Sequence, residues 1–194
     1  MRYFILTIII LMVACKDEGV YSPKPHMYPK VNYPAKEYST FEEDYCDMTF
    51  EKPVYTQISQ ERSFFEEDPL HPCWFDVNFP SLNGSLHFSY YPVESRKRFD
   101  ELVGDAFTFA EKHDIKANYR TETAIDNEHG LSGILFDISG PVASPIQFFL
   151  SDSTEHFIRA SLYFNNKVQP DSMAPIYSFV REDIERMIAT MNFN

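Results

Sequence analysis

Between Cys73 and Pro80 apolar and polar side chains alternate, with Phe75, Val77 and Phe79 on one side. A period of two marks a half-buried strand. Leu82-Asn83-Gly84 offers a turn, because Asn-Gly takes positive φ readily, and Leu86, Phe88 and Tyr90 repeat the alternation on the way back. After Ser95, an N-cap candidate, the period changes. Phe99, Leu102, Val103, Ala106 and Ala110 form one apolar stripe at helical spacing, which predicts a helix to about Lys112. Ile115 to Thr123 then reads as a strand with Ile115, Ala117, Tyr119 and Thr121 on one face. A turn at Asp126 to Gly130 leads into a strand carrying Ile134, Phe136 and Ile138, which Gly140-Pro141 ends. IQFFLSDS and HFIRASLYFN follow as two more strands around a turn at Asp152 to Glu155. From Pro170 onward, Ile176, Phe179, Val180, Ile184, Met187, Ile188 and Met191 recur only at spacings of one, three and four, the strongest helical period in the chain. Glu182 and Arg186 are placed to pair on its outer face.

Upstream, CDMTF and VYTQIS read as two short strands separated by Lys52-Pro53, and residues 60 to 72 read as an acidic loop. Runs of hairpins with separated amphipathic helices predict an α+β fold. The expectation is a single domain over 45–194. It has an antiparallel sheet of about five to seven strands, with two amphipathic helices that cover one sheet face or flank the sheet. Eighteen Phe and twelve Tyr suit such a sheet.

Residues 15–44 have a different texture. Pro23, Pro25, Pro29 and Pro34 alternate with Tyr21, Tyr28, Tyr33 and Tyr38. Prolines this dense disfavour helix and central strand. The expectation is an arm whose tyrosines either lie on their own domain or bind another protein. Before it, Arg2, an apolar run from Tyr3 to Ala14 and a small residue before Cys15 make residues 1–14 an export signal. A dozen apolar residues span under ~20 Å as a helix, too short for a hydrocarbon core of ~30 Å. Leu11-Met12-Val13-Ala14-Cys15 resembles a bacterial lipobox, with Met12 where Leu is usual; in such a motif the cysteine is acylated and becomes the first mature residue. Acyl chains such as palmitate then supply ~0.8 kcal/mol per buried methylene, and two or more anchor stably.

The net charge is −12; loss of residues 1–14 removes Arg2 and makes it −13. Phosphates repel such a protein, which argues against nucleic acid as a partner. Once Cys15 is used by lipid, Cys46 and Cys73 remain in an oxidising compartment. They are either a disulfide or two buried thiols; no His stands at ligand spacing from both for a metal site. Arg96, Lys97 and Arg98 oppose the macrodipole in the first turn of their helix. They are either a tolerated surface cluster or a patch for an acidic partner.

A catalytic centre needs a nucleophile, a base and an orienter. Ser144, Ser151, Ser153 and His156 supply raw material, yet no Gly-x-Ser-x-Gly elbow occurs. Ser151 to His156 reads as a turn, since Asp, Ser and Thr bond nearby backbone. Asp76, Asp137 and Arg159 interrupt apolar strands as a polar sheet face would, and His87 fits a half-exposed strand position. Glu66-Glu67-Asp68 lacks the spacing of a calcium loop. The residues point to a non-enzyme without cofactor.

Several segments together resemble the gliding motility lipoprotein GldD family: Tyr21-Ser22-Pro23-Lys24-Pro25 with Tyr28, Pro34 and Tyr38, then Pro72-Cys73-Trp74-Phe75. Gln147 to Ser153, His156 to Arg159, Leu162 to Asn165 and Ala174-Pro175 belong with them. Cys46 and Cys73 match the family's two mature cysteines. Pro29-Lys30-Val31 departs from an expected aromatic and arginine. The resemblance implies Cys15 as the lipid attachment site and no catalytic residues. It also implies a role in gliding motility and the associated type IX secretion system, beside other lipoprotein or membrane subunits of that apparatus. The expected place is the envelope, with the periplasmic face of the outer membrane favoured; inner membrane and cell surface stay open. Lys16-Asp17-Glu18 resembles the acidic export signal of some surface lipoproteins in gliding bacteria. That keeps alive an alternative, a surface lipoprotein binding a glycan or other solute; a hydrolase is a third reading.

Overall fold

The computed structural model describes residues 31–60, 71–165 and 170–194. The elements run β1 (Tyr38–Glu43), β2 (Cys46–Pro53), β3 (Gln57–Ser59), β4 (Trp74–Phe79), β5 (Gly84–Pro92), α1 (Arg96–Glu111) and β6 (Tyr119–Asp126). They continue as β7 (Ser132–Ser139), β8 (Ile146–Ser151), β9 (His156–Phe164), α2 (Pro170–Thr190) and β10 (Asn192–Phe193). Seven strands form one sheet in the order β3-β4-β5-β9-β8-β7-β6, and β1-β2-β10 form a second. Every pairing is antiparallel. The α+β expectation holds, with one large sheet and two helices.

Alternation sorts the large sheet into two faces. On one, Val77, Phe79, Leu86, Phe88, Phe148 and Leu162 are buried against β1, β2 and α2. Rings tie the two sheets: Phe41 stacks on Phe50 and on Phe75, each at 4.6 Å, and Phe75 stacks on Phe88 at 4.8 Å. Offset aromatic pairs add ~0.5–1.5 kcal/mol each beyond their area. From α2, Val180, Ile184 and Met187, with Met191 directly after the helix, are wholly buried in this core, as the spacing predicts. On the other face, Leu102, Ala106 and Ala110 of α1 cover Phe136, Ile138, Phe149 and Phe157. Ser95 caps α1 by accepting from the Arg98 amide at 3.2 Å.

The β4–β5 turn places Asn83 in the left-handed region, φ 52°, after a short 3₁₀ turn at Pro80–Leu82. Cys46, opening β2, and Cys73, just before β4, are bonded through their sulfurs with Cα atoms 4.6 Å apart.

Four local expectations differ from the structure. Residues at the end of the proline-rich arm form β1, which begins where the prolines stop and pairs Tyr38 with Pro53. Lys52-Pro53 does not break β2; β10 meets β2 at Met48 and Thr49, so among the described residues no strand faces the missing Pro53 N–H from that side. The strand expected from Ile115 starts at Tyr119. Residues 113–117 close turns after α1, Lys116 N bonding His113 O, and Ile115 is 90% exposed. Arg186 does not pair with Glu182. Its guanidinium reaches Glu51 at 2.5 Å, while Arg181 takes Glu185 at 2.9 Å.

Candidate functional site

Where the arm meets the domain, several polar side chains converge on one acid. Asp183 sits on the inward side of α2 between Val180 and Ile184, and it is fully buried. Its Oδ1 accepts from Lys36 Nζ at 2.9 Å and from Tyr38 Oη at 2.8 Å, and its Oδ2 accepts from Tyr55 Oη. Lys36 also donates to the Phe179 carbonyl at 2.5 Å, and its ammonium stands 3.9 Å over the Phe179 ring. Tyr33 packs on that ring from the arm, centroids 4.7 Å apart. Burial, then the bond to Asp183, pushes the Tyr38 phenol up to about 12, and the same causes raise Tyr55 further. A buried carboxylate with three donors is satisfied, and both phenols keep their protons. The cluster is a fastening of arm to helix, offering no free group for chemistry. Nothing in the sequence reading singled out Lys36, Tyr55 or Asp183.

Of the arm tyrosines, Tyr33 and Tyr38 are thus packed on the domain. Cys15, Tyr21 and Tyr28 lie outside the described residues. The basic turn is exposed on the first turn of α1. Arg96 pairs with Asp100 at 3.0 Å, and Lys97 and Arg98 both reach Glu101, at 3.6 and 3.5 Å. The helix supplies its own acidic partners one turn on.

The serine-rich segment is a turn between β8 and β9. Ser151 Oγ donates to the His156 carbonyl at 2.5 Å and accepts from Ser153 N at 2.9 Å. Asp152 Oδ1 accepts from the amides of Thr154, Glu155 and His156. Burial opposes ionisation of Asp152, but these amides outweigh it and hold its pKa below the ordinary value. The His156 ring stacks on Phe193 at 4.4 Å and shares a 2.7 Å hydrogen bond with Tyr90 Oη, not with a serine. Ser144 is buried and bonds the Ile146 carbonyl. Cys73 N bonds His71 Nδ1 at 3.1 Å. Among the described residues no group of three His, Cys, Asp or Glu is placed to hold a metal.

Two further surface features are an open sheet face and a cavity. The first is the part of the large sheet that α1 leaves open. Trp74, Asp76 and Asn78 of β4 share it with Ser85, His87 and Tyr91 of β5 and Tyr163 of β9, as register and alternation require. Trp74 and Tyr91 meet edge to face at 5.5 Å, and His87 bonds Asp76 at 2.6 Å. Arg159 marks the border, its guanidinium 4.0 Å over Phe109 of α1. The second is a cavity of about 250 Å³ at the start of β6, lined by Tyr119, Asp137, Pro145, Phe164, Met173 and Tyr177 among others. Beside it Arg181 bonds Asp137. Tyr177 Oη is buried next to this pair without a hydrogen bond of normal geometry; burial first, then Asp137, keeps the phenol protonated.

No helix of the described residues is long and apolar enough to cross a membrane. No curated protein matches the chain. The family model of the gliding motility lipoprotein GldD matches residues 18–193, nearly the whole chain, and the protein therefore belongs to that family of motility lipoproteins.

Proposed function

We propose that the protein is a non-enzymatic subunit of the gliding apparatus and of the associated type IX secretion machinery. Acyl chains on Cys15 anchor it in the envelope, at the periplasmic face of the outer membrane, and it works by binding neighbouring lipoprotein or membrane subunits. The family match over residues 18–193 carries this reading. The side chains support binding over chemistry: Ser151 is engaged with backbone and His156 with Tyr90 and Phe193. The arm upstream of Lys36 and the Arg96-Lys97-Arg98 turn are the proposed contacts. Tyrosines give contact area and prolines limit the entropy lost on docking.

Complementation of a deletion strain tests it. Cys15→Ala should release the protein from the membrane fraction and abolish gliding. Tyr28→Ala with Tyr33→Ala should leave it folded and lipidated but impair gliding and secretion. Ser144→Ala, Ser153→Ala and His156→Ala should each stay motile. Loss of motility through a stable, correctly located variant of the last three overturns the non-enzyme reading.

A second reading, glycan binding, is favoured by the open sheet face with Trp74, Tyr91 and Tyr163 beside short polar side chains. Trp74 is the sole tryptophan, so its fluorescence reports on that face. A saturable change on titration with chitotetraose supports the reading, and a flat response to chitotetraose and to peptidoglycan fragments removes it.

A further inference from the structure

A regular strand at the border of a sheet presents a row of unpaired backbone groups, and folded proteins blunt such borders by shortness, bulges, proline or cover. The borders of this molecule differ sharply. β3 has three residues and β10 two. β1 carries a register shift between Phe41 and Glu43. β6 has eight residues, no proline and an unbroken ladder to β7 from Tyr119↔Ser139 to Asp126↔Ser132. Among the described residues nothing pairs with its outer side. Six of its eight residues are exposed, on both faces.

The strand also carries recognition chemistry. Tyr119, Thr121, Thr123 and Ile125 share one face. Tyr119 is 64% exposed and forms a wall of the cavity of about 250 Å³, whose lining also includes Pro145, Phe164 and Met173. Arg120, Glu122, Ala124 and Asp126 share the opposite face. Arg120 is already taken by Asp114 at 2.8 Å and Glu122 at 3.1 Å. The remaining charges of the strand and of the turn after it, Asp126 and Glu128, are both acidic.

We propose that the outer edge of β6 receives an extended segment of another protein as an eighth strand. Its side chains alternate, apolar toward Tyr119 and the cavity, basic toward Asp126 and toward the net negative charge that Glu122 and Asp114 leave around Arg120. Main-chain bonds supply the affinity of strand addition and alternate side chains its specificity. A second copy of this chain is the poorer occupant. Each copy has a net charge of −12, and a β6–β6 ladder sets two acidic edges side by side. The inference rests on the reading that the protein acts by binding a subunit, and it names the edge and the chemistry of the occupant.

The direction of the ladder selects a variant. Asn127 N donates inward to Leu131 O at 3.0 Å. With a period of two, the amides of Ile125 and Thr123 also turn inward, and those of Ala124 and Glu122 turn outward. Ala124→Pro therefore blocks the outer edge and spares the bonds to β7. Glu122→Lys keeps every backbone group and reverses the charge.

The probe is an octapeptide alternating Lys and Val, with a Glu and Val octapeptide as control, titrated into the full-length lipidated protein in detergent. The Lys–Val peptide should bind at least tenfold tighter than the control and slow amide exchange at residues 120–126. Ala124→Pro, with unchanged circular dichroism, should weaken it at least tenfold, and so should Glu122→Lys. Equal binding of both peptides, no binding, or protection elsewhere than β6 overturns the proposal. So does concentration-dependent protection of β6 without peptide, which identifies a second copy as the occupant. In cells, a folded Ala124→Pro protein that restores normal gliding to a non-motile deletion strain removes the edge and leaves the motility function standing. A deletion strain that glides removes the motility function itself.

Discussion

The ammonium of Lys36 lies 2.9 Å from the carboxylate of Asp183, a contact across 147 positions that joins the proline-rich arm to the buried side of α2. Asp183 is fully buried, whereas the Lys36 side chain is 26% exposed. Taking one partner from a buried pair leaves the other uncompensated and costs about 3–5 kcal/mol. Lys36→Met leaves Asp183 with its two phenol donors, so the loss should fall near the lower end, about 3 kcal/mol by urea unfolding. The variant should also loosen the arm: chymotrypsin should cut between Tyr38 and Ser39 faster than in the wild type, while the rest of the domain stays intact. An unchanged cutting rate would show that Lys36 does not fasten the arm.

The two phenols of this cluster, together with Tyr45, predict alkaline sensitivity. Tyr38 and Tyr45 are pushed up to about 12, both chiefly by burial, and Tyr55 is raised further by burial and Asp183. In the unfolded chain these phenols titrate near ~10. Below that pH both states hold the protons and the stabilisation is complete. As pH rises from about 10 through 12 the unfolded chain releases protons first, so stability must fall. The urea midpoint should hold steady from pH 8 to 9.5 and then decline. Tyr38→Phe should make the decline shallower.

What the sequence discloses follows from burial. β4, β5, β8, β9 and the two helices each hide one face, so a period of two or of 3.6 is written into them. β6 is exposed on both faces and gives no such signal, and Ile115, an apolar residue left in solvent, drew its start four residues too early. β1 follows a proline-rich stretch that speaks against a strand, and its one buried residue, Phe41, is too little to reveal a period. Asp183 was nearer to being legible. It sits four residues after Phe179 and three after Val180, an acid inside the apolar stripe of α2. Such an acid needs a cation or donors. Which ones it finds is decided by the return of α2 to the arm, 147 positions after Lys36, which spacing does not encode.

Glycine substitutions should separate by sign. A Cβ on Gly133 would enter the backbone of β8, inside van der Waals contact of the Phe149 carbonyl. Neighbouring strands cannot yield there without breaking the β7–β8 ladder. Gly133→Ala should therefore cost about 3 kcal/mol or more, at the upper end of overpacking effects. Gly104, inside α1, has nothing within 4 Å of an added Cβ. Gly104→Ala should stabilise by ~0.5–1 kcal/mol through helix propensity alone. Thermal melts of the two variants decide it, and equal shifts would contradict the packing of β7 on β8.

The Cys46–Cys73 bond ties the start of β2 to the entry of β4, and so the small sheet to the large one, across 27 positions. In the chain-entropy picture a loop of that length is worth about 3–4 kcal/mol. Both sulfurs lie in the core, Cys46 6% and Cys73 2% exposed, so folded protein would resist alkylation in either redox state. The measurement must therefore be made on denatured, unreduced protein taken from the envelope. Neither thiol should label until a reductant is added, and mass spectrometry should then find both modified. Cys73→Ser should lower stability by about 3–4 kcal/mol through the lost bond, plus the cost of one buried hydroxyl. Full labelling before reduction would replace the bridge with two buried thiols, and the stability loss of Cys73→Ser should then shrink to the effect of one buried hydroxyl, about 1–3 kcal/mol.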